Sequence, residues 1–235
     1  MTTNQTNLNL AIIPARGGSK RLENKNKLLL NDKPLVSHTI EAGLGSKNIT
    51  DIIVSSDSND ILQIASSYEN VTLHQREDSY AKDDSTALEL VDHIFSNSEI
   101  EYEYITLMLP TCPLRTSSHI DEAFSLLKNE DDGIISVTSY NFPLELKVDI
   151  KDEYINLSNE SPLITGNTRS QNHRPSLRPN GGFYIAKWNS FYSNRNFWKG
   201  KVKYYKMNHE DSIDIDTQLD LETAEIIFRK KNINE

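Results

Sequence analysis

Ala11-Ile12-Ile13-Pro14-Ala15-Arg16-Gly17-Gly18-Ser19-Lys20-Arg21-Leu22-Glu23-Asn24-Lys25-Asn26 joins a short apolar run to a loop with two adjacent glycines and a dense set of cations, Arg16, Lys20, Arg21, Lys25 and, just beyond, Lys27. A buried strand delivers a phosphate-gripping loop in this way. Gly17 and Gly18 remove side chains, so that backbone N–H groups can approach an anion, and Ser19 and Lys20 add a hydroxyl and a point charge beside them. The alternative is a solvated basic turn, which has no use for glycines between its cations and a buried strand.

Outward from that loop, strand and helix signals alternate. Pro34 suits a first helical position, and Val36, Ile40, Gly43 and Leu44 follow at helical spacing. Residues 51–56 read as a continuous buried strand ending in the polar Ser55-Ser56-Asp57, 60–68 as a helix and 71–74 as a short strand. The polar loop 80–86 precedes a helix carrying Leu88, Val91, Ile94 and Phe95, with Asp83 and Asp84 as candidate caps, a role expected of at least one of them. A strand at 104–109 leads to a helix that Ser118 and Asp121 are expected to cap, and residues 134–137 form another strand. This rhythm predicts an α/β fold with a mostly parallel sheet covered on both faces.

The rhythm breaks between Ser139 and Pro179, where prolines and polar runs replace it. This stretch reads as an inserted lobe or arm, a dimerisation element, within a single domain spanning 1–235. Strands are expected at 181–186 and 201–207, with an aromatic-rich helical stretch, 188–198, between them. A capping box of Thr217 and Asp220 opens a final helix with Leu221, Ala224, Ile227 and Phe228 on one stripe.

The whole chain sets limits. Its 235 residues suffice for a sizeable core, and 25 Lys and Arg against 34 Asp and Glu leave a net charge of −9. Such a molecule repels nucleic acid and anionic lipid, so a local cluster of cations favours a pocket for a small anion. One cysteine, Cys112, excludes an intramolecular disulfide framework and fits a reducing compartment. No apolar run approaches the roughly 18 residues of a membrane span, and a cytoplasmic protein is expected.

Asp211-Ser212-Ile213-Asp214-Ile215-Asp216-Thr217 is the second chemical signal. In an extended segment Asp214 and Asp216 project from one face while Ile213 and Ile215 project from the other. Two like charges on one face destabilise a chain unless a cation joins them, and Mg²⁺ takes one or two carboxylates together with water and phosphate oxygens. A half-exposed edge strand before a capped helix would explain the isoleucines but not the carboxylates. The glycine loop is neither a Walker A sequence nor Gly-x-Gly-x-x-Gly, which disfavours P-loop NTPases and dinucleotide dehydrogenases. In Arg178-Pro179-Asn180-Gly181-Gly182 the arginine fork suits a carboxylate; a turn opening a strand explains the segment equally well. His38, His74 and His93 read as structural, and Cys112 as small-residue packing.

Ile13-Pro14-Ala15-Arg16-Gly17-Gly18-Ser19-Lys20 with Lys25-Asn26, Pro110-Thr111-Cys112-Pro113-Leu114-Arg115, Arg178-Pro179-Asn180-Gly181 and Ser212-Ile213-Asp214-Ile215-Asp216-Thr217 resemble, in order, the motifs of the acylneuraminate cytidylyltransferases. The resemblance implies a Rossmann-like fold of the nucleotide-diphospho-sugar transferase type, a homodimer joined by the arm, and Mg²⁺-dependent reaction of CTP with a nonulosonic acid. It places Ala15, Arg16, Gly17, Gly18, Ser19, Lys20, Asn26, Asp83 and Thr86 at the nucleotide, and Thr111, Arg115, Arg178 and Asn180 at the sugar acid. It makes Arg16, Lys20, Lys25, Asp214 and Asp216 catalytic, with the two aspartates as metal ligands. Leu109 stands where relatives using N-acetylneuraminate usually carry glutamine, and Lys20-Arg21-Leu22-Glu23 replaces the frequent Lys-Gly-Leu-Pro. Other expectations are a pseudaminic, legionaminic or eight-carbon (KDO) acceptor, another nucleoside triphosphate, or a non-catalytic nucleotide sensor on the same fold.

Overall fold

The structure is a computed structural model that describes residues 8–19, 21–81 and 85–233. The first half runs β1 (Asn9–Pro14), the small hairpin β2 (Leu29–Leu30) and β3 (Lys33–Pro34), α1 (Leu35–Leu44), β4 (Asp51–Ser56), α2 (Asn59–Ser66), β5 (Val71–Gln75), α3 (Asp78–Ala81), α4 (Ala87–Ser96), β6 (Tyr104–Leu107), α5 (Ser117–Leu126) and β7 (Gly133–Ser139). The second half carries β8 (Asp149–Lys151), β9 (Tyr154–Asn156), α6 (Pro162–Thr165), β10 (Leu177–Lys187), α7 (Trp188–Asn194), β11 (Val202–Lys206) and α8 (Gln218–Ile233).

Among the described residues the main sheet has the order β11-β7-β10-β6-β1-β4-β5. Every neighbouring pair is parallel except those made by β10, which runs antiparallel to both β6 and β7. The expected mostly parallel α/β sheet is therefore the fold observed. Alternation along β1 explains its two covers. Ala11 and Ile13 pack with Val36 and Ile40 of α1, Ile61 of α2 and Ile120 of α5, while Leu10 and Ile12 pack with Leu90, Val91, Ile94 and Phe95 of α4 and with Trp188 and Phe191 of α7. Each of these β1 side chains is essentially fully buried, and burying one leucine or isoleucine stabilises the fold by about 1.5–3 kcal/mol.

Three details differ from the sequence reading. Helix α5 is capped by Thr116, whose hydroxyl accepts from His119 N while His119 Nδ1 accepts from Thr116 N; Ser118 and Asp121 do not cap it. Asp121 instead gathers the turn after α1, its Oδ1 accepting from Ser46 Oγ, Lys47 N and Asn48 Nδ2. Helix α4 is capped by Thr86 and Glu89, while Asp83 and Asp84 lie outside the described residues. Strand β10 is already paired at Leu177, and its register shifts between Pro179 and Tyr184, with Gly181 at φ +75° inside that irregularity. Arg178 to Gly182 therefore lies within a strand and does not open one. The box of Thr217 and Asp220 at the head of α8 forms as expected.

Between β7 and β10 the chain leaves the main sheet. Residues 140–176 carry the β8–β9 hairpin and short α6, with Phe142, Ile150, Tyr154, Ile155 and Ile164 exposed.

Candidate active site

The strands β1, β4 and β5 step to one side of β1 in succession, and β6 then lies on its other side. The order reverses at β1, and the carboxyl end of a sheet at such a reversal is where a ligand crevice opens. A cleft of about 560 Å³ occupies this position, lined by the glycine loop, the segment after β5, the segment after β6, and Asp214 and Asp216.

The loop leaves β1 at Ala15, which is fully buried and whose N–H is bound by Ser55 O at 2.9 Å. The two glycines then do different work. Gly17 donates its N–H to Asp57 Oδ1 at 2.7 Å, and a Cβ there would lie 2.8 Å from Ser58 Cβ. Close packing on the turn after β4 requires that glycine. A Cβ at Gly18 would meet nothing within 4 Å, and this residue lines the cleft with Arg16, Ser19, Lys25 and Asn26. Asn26 is buried and clips the loop shut, its Nδ2 donating to Arg16 O at 2.8 Å. Lys27 turns away to Asp60 on α2. Lys20, expected at the phosphates, lies outside the described residues, as does Asp83.

Asp214 and Asp216 line the cleft together, whereas Ile215 between them is fully buried against Leu30, Leu35, Leu114, Leu221 and Ala224. The alternation inferred for an extended segment is thus realised outside the sheet, with Ile215 N held by Thr111 O at 2.8 Å. Asp216 Oδ1 meets Lys25 Nζ at 2.7 Å and Oδ2 meets Arg21 Nη1 at 2.8 Å. Asp214 has exposed surface yet stands among protein groups that displace much of its hydration. Its carboxyl is held above the usual range, by desolvation first and by Asp216 in addition, while a hydrogen bond from Thr111 and the charges of Lys25 and Arg178 oppose the shift.

A model of the cytidylyltransferase family matches residues 10–233. The N-acylneuraminate cytidylyltransferase of Escherichia coli O18:K1:H7 is 36% identical over 95% of this chain, and the chain spans 52% of that protein's length. The CMP-N,N'-diacetyllegionaminic acid synthase of Legionella pneumophila is 32% identical over 90% of this chain and 92% of its own. The chain belongs to the acylneuraminate cytidylyltransferase family. A Campylobacter jejuni pseudaminic acid cytidylyltransferase is 27% identical over 94% of this chain and 96% of its own. The fold is shared with a solved CMP:2-keto-3-deoxy-manno-octonic acid synthetase in complex with CTP, at a TM-score of 0.67 and 14% identity over 95% of this chain and 99% of that one.

In this member of the family the cleft gathers Arg16, Gly18, Ser19, Lys25, Asn26, Thr86, Thr111, Asp214 and Asp216 of the residues expected to act. Ala15 and Gly17 belong to the same loop but are not part of the cleft lining. Arg115 and Asn180, expected at the sugar acid, are 2% and 1% exposed and do not reach the cleft wall. Arg115 Nη1 donates to the carbonyls of Leu109, Cys112 and Gly182, tying the segment after β6 to β10; burial lowers its pKa to about 10. Asn180 accepts from Ser136 Oγ and Gly182 N and donates to Ser212 Oγ. Arg178 lines a separate groove beside Tyr140, Phe142 and Lys147, although its charge reaches Asp214.

Sequence reasoning missed Arg76 and Tyr80, which also line the cleft. Arg76 is 6% exposed and donates from Nη2 to Ser55 O at 2.8 Å, the same carbonyl that binds Ala15 N. Its position one residue beyond β5, at the carboxyl end of the sheet, was the available signal. Cys112 is fully buried and its thiol is pushed up to about 12 by desolvation, so it is unreactive packing.

Proposed function

We propose that this chain couples a nonulosonic acid to CTP, giving the CMP-sugar and pyrophosphate. The observation that carries the reading is the 2.7 Å contact between Lys25 and Asp216, which joins the cationic loop to the carboxylate pair in one cleft. The acid's anomeric hydroxyl oxygen forms a bond to the α-phosphorus and gives up its proton to water, the bond from the α-phosphorus to the oxygen bridging it to the β-phosphate breaks, and pyrophosphate leaves. Arg16, Lys25 and Arg76 surround the cleft with fixed positive charge where negative charge grows, and Ser19 with the open backbone at Gly18 offers hydrogen-bond donors. Arg178 would take the acid's carboxylate from the side of Asp214.

Magnesium fits the donor set. Asp214 and Asp216 supply hard oxygen ligands in the number Mg²⁺ usually takes from protein, and among the described residues no cluster of three or more His, Cys, Asp or Glu suggests a soft or all-protein site. Held by Asp214 and Asp216, the ion would supply positive charge to offset the negative charge growing on the phosphates.

The test is pyrophosphate release from CTP, UTP and GTP, each with a panel of sialic, legionaminic, pseudaminic and eight-carbon acids. Release is expected with CTP and one of the nine-carbon acids, and to stop when EDTA removes the metal. Silence with CTP under every acceptor sinks the reading.

The apolar side chains on the arm support a homodimer, because Phe142, Ile150, Tyr154 and Ile155 are 65–78% exposed in a single copy. Light scattering that returns a monomer mass at micromolar concentration rejects it. Among the described residues no helix is long and apolar enough to cross a membrane. CTP as substrate points to the cytoplasm, and cell fractionation that finds the protein elsewhere removes that assignment.

A further inference from the structure

Both carboxylate oxygens of Asp216 are held by cations from the segment after the glycine loop, and the two cations are not equivalent. Lys25, which starts the single turn Lys25–Lys27, has a side chain only 11% exposed. The side chain of Arg21 is 70% exposed. Arg21 is therefore the partner that can leave without opening the structure. A divalent cation approaching Asp216 Oδ2 meets the guanidinium within a few ångströms, and the two like charges repel. Arg21 also lines the same cleft as Arg16, Lys25 and Arg76, so on leaving Asp216 it stays beside the position of the phosphates, to which its planar fork is suited.

We infer that Arg21 is a phosphate-contacting residue of this cleft that is parked on Asp216 until a divalent cation displaces it or incoming phosphates draw it away. The inference rests on the reading that Asp214 and Asp216 hold that cation. Metal and nucleotide then bind in mutual dependence: the metal releases the guanidinium that the phosphates use, and the phosphates draw off the guanidinium that obstructs the metal. Metal alone binds weakly, because Asp216 is already neutralised.

The test uses Mn²⁺ as probe, with free Mn²⁺ read by electron paramagnetic resonance, on the whole chain and on Arg21→Gln. Without nucleotide, Arg21→Gln is expected to bind Mn²⁺ about two- to fivefold more tightly, the range an exposed ion pair contributes, and adding Asp216→Asn should erase the gain. In EDTA the same Arg21→Gln chain is expected to bind CTP more weakly than the unaltered chain. Raising the salt should shrink both differences, because the pair is solvent-screened. Unchanged or weaker Mn²⁺ binding by Arg21→Gln, or no Mn²⁺ binding by either chain, overturns the role of Arg21. The metal reading itself fails on a separate result, namely Mn²⁺ binding by Arg21→Gln that adding Asp216→Asn leaves untouched.

Discussion

Asp216→Ala is expected to lower kcat about 10²- to 10³-fold, the usual cost of deleting one charge-stabilising element of a reacting centre. The Michaelis constant for CTP should move little or fall. Removing the carboxylate leaves Lys25 and Arg21 without their anion, 2.7 and 2.8 Å from where it stood, and both then face an incoming triphosphate. Ground-state binding is thereby kept or strengthened while the transition state loses its metal seat. Steady-state kinetics over a Mg²⁺ series decides it. An unchanged kcat with a raised Michaelis constant would mean that Asp216 serves uniform binding alone, and the metal assignment would fall.

Asn180→Leu is expected to cost about 2–4 kcal/mol of folding stability, the sum of leaving more than one buried polar group without its partner. Asn180 Oδ1 accepts from Ser136 Oγ at 2.6 Å and from Gly182 N at 3.1 Å, and Nδ2 donates to Ser212 Oγ at 2.8 Å. Ser136 can turn its proton to Phe183 O, whereas Gly182 N loses the Asn180 oxygen it donates to. Urea melts monitored by tryptophan fluorescence should show the loss, while the folded fraction keeps its Michaelis constant for the sugar acid. An unaltered midpoint with a raised constant would return Asn180 to the substrate.

Periodic features were legible from the sequence. The alternation of β1, the stripes of α1 and α4 and the box at the head of α8 are each decided by residues within a few positions of one another. The cap of α5 was not, because Thr116-Ser117-Ser118 offers several hydroxyls in a row, and the box closes through His119, outside the usual Ser/Thr-x-x-Glu pattern. What Asp121 does is set by a turn 73 to 75 residues away. The same limit governs the site. Residue type announces an arginine or an asparagine but not its burial, so the depth at which Arg115 and Asn180 lie, bonded to the backbone of Gly182, was not legible. Gly17 and Gly18 look alike in the chain, and only the approach of Ser58 separates them. The carboxylate pair was found because alternation is a local property even outside a sheet.

The antiparallel strand has a consequence of its own. β7 and β10 are neighbours in the sheet, so everything from 140 to 176 is, topologically, the loop of one long hairpin. Closing such a loop costs entropy only logarithmically in its length, about 0.6 kcal/mol per doubling. An insertion there lengthens a connection already made and leaves the register of the sheet alone. Such a connection can vary in length and surface without disturbing the strand register, and it leaves the sheet at the same carboxyl edge at which β1 delivers the glycine loop.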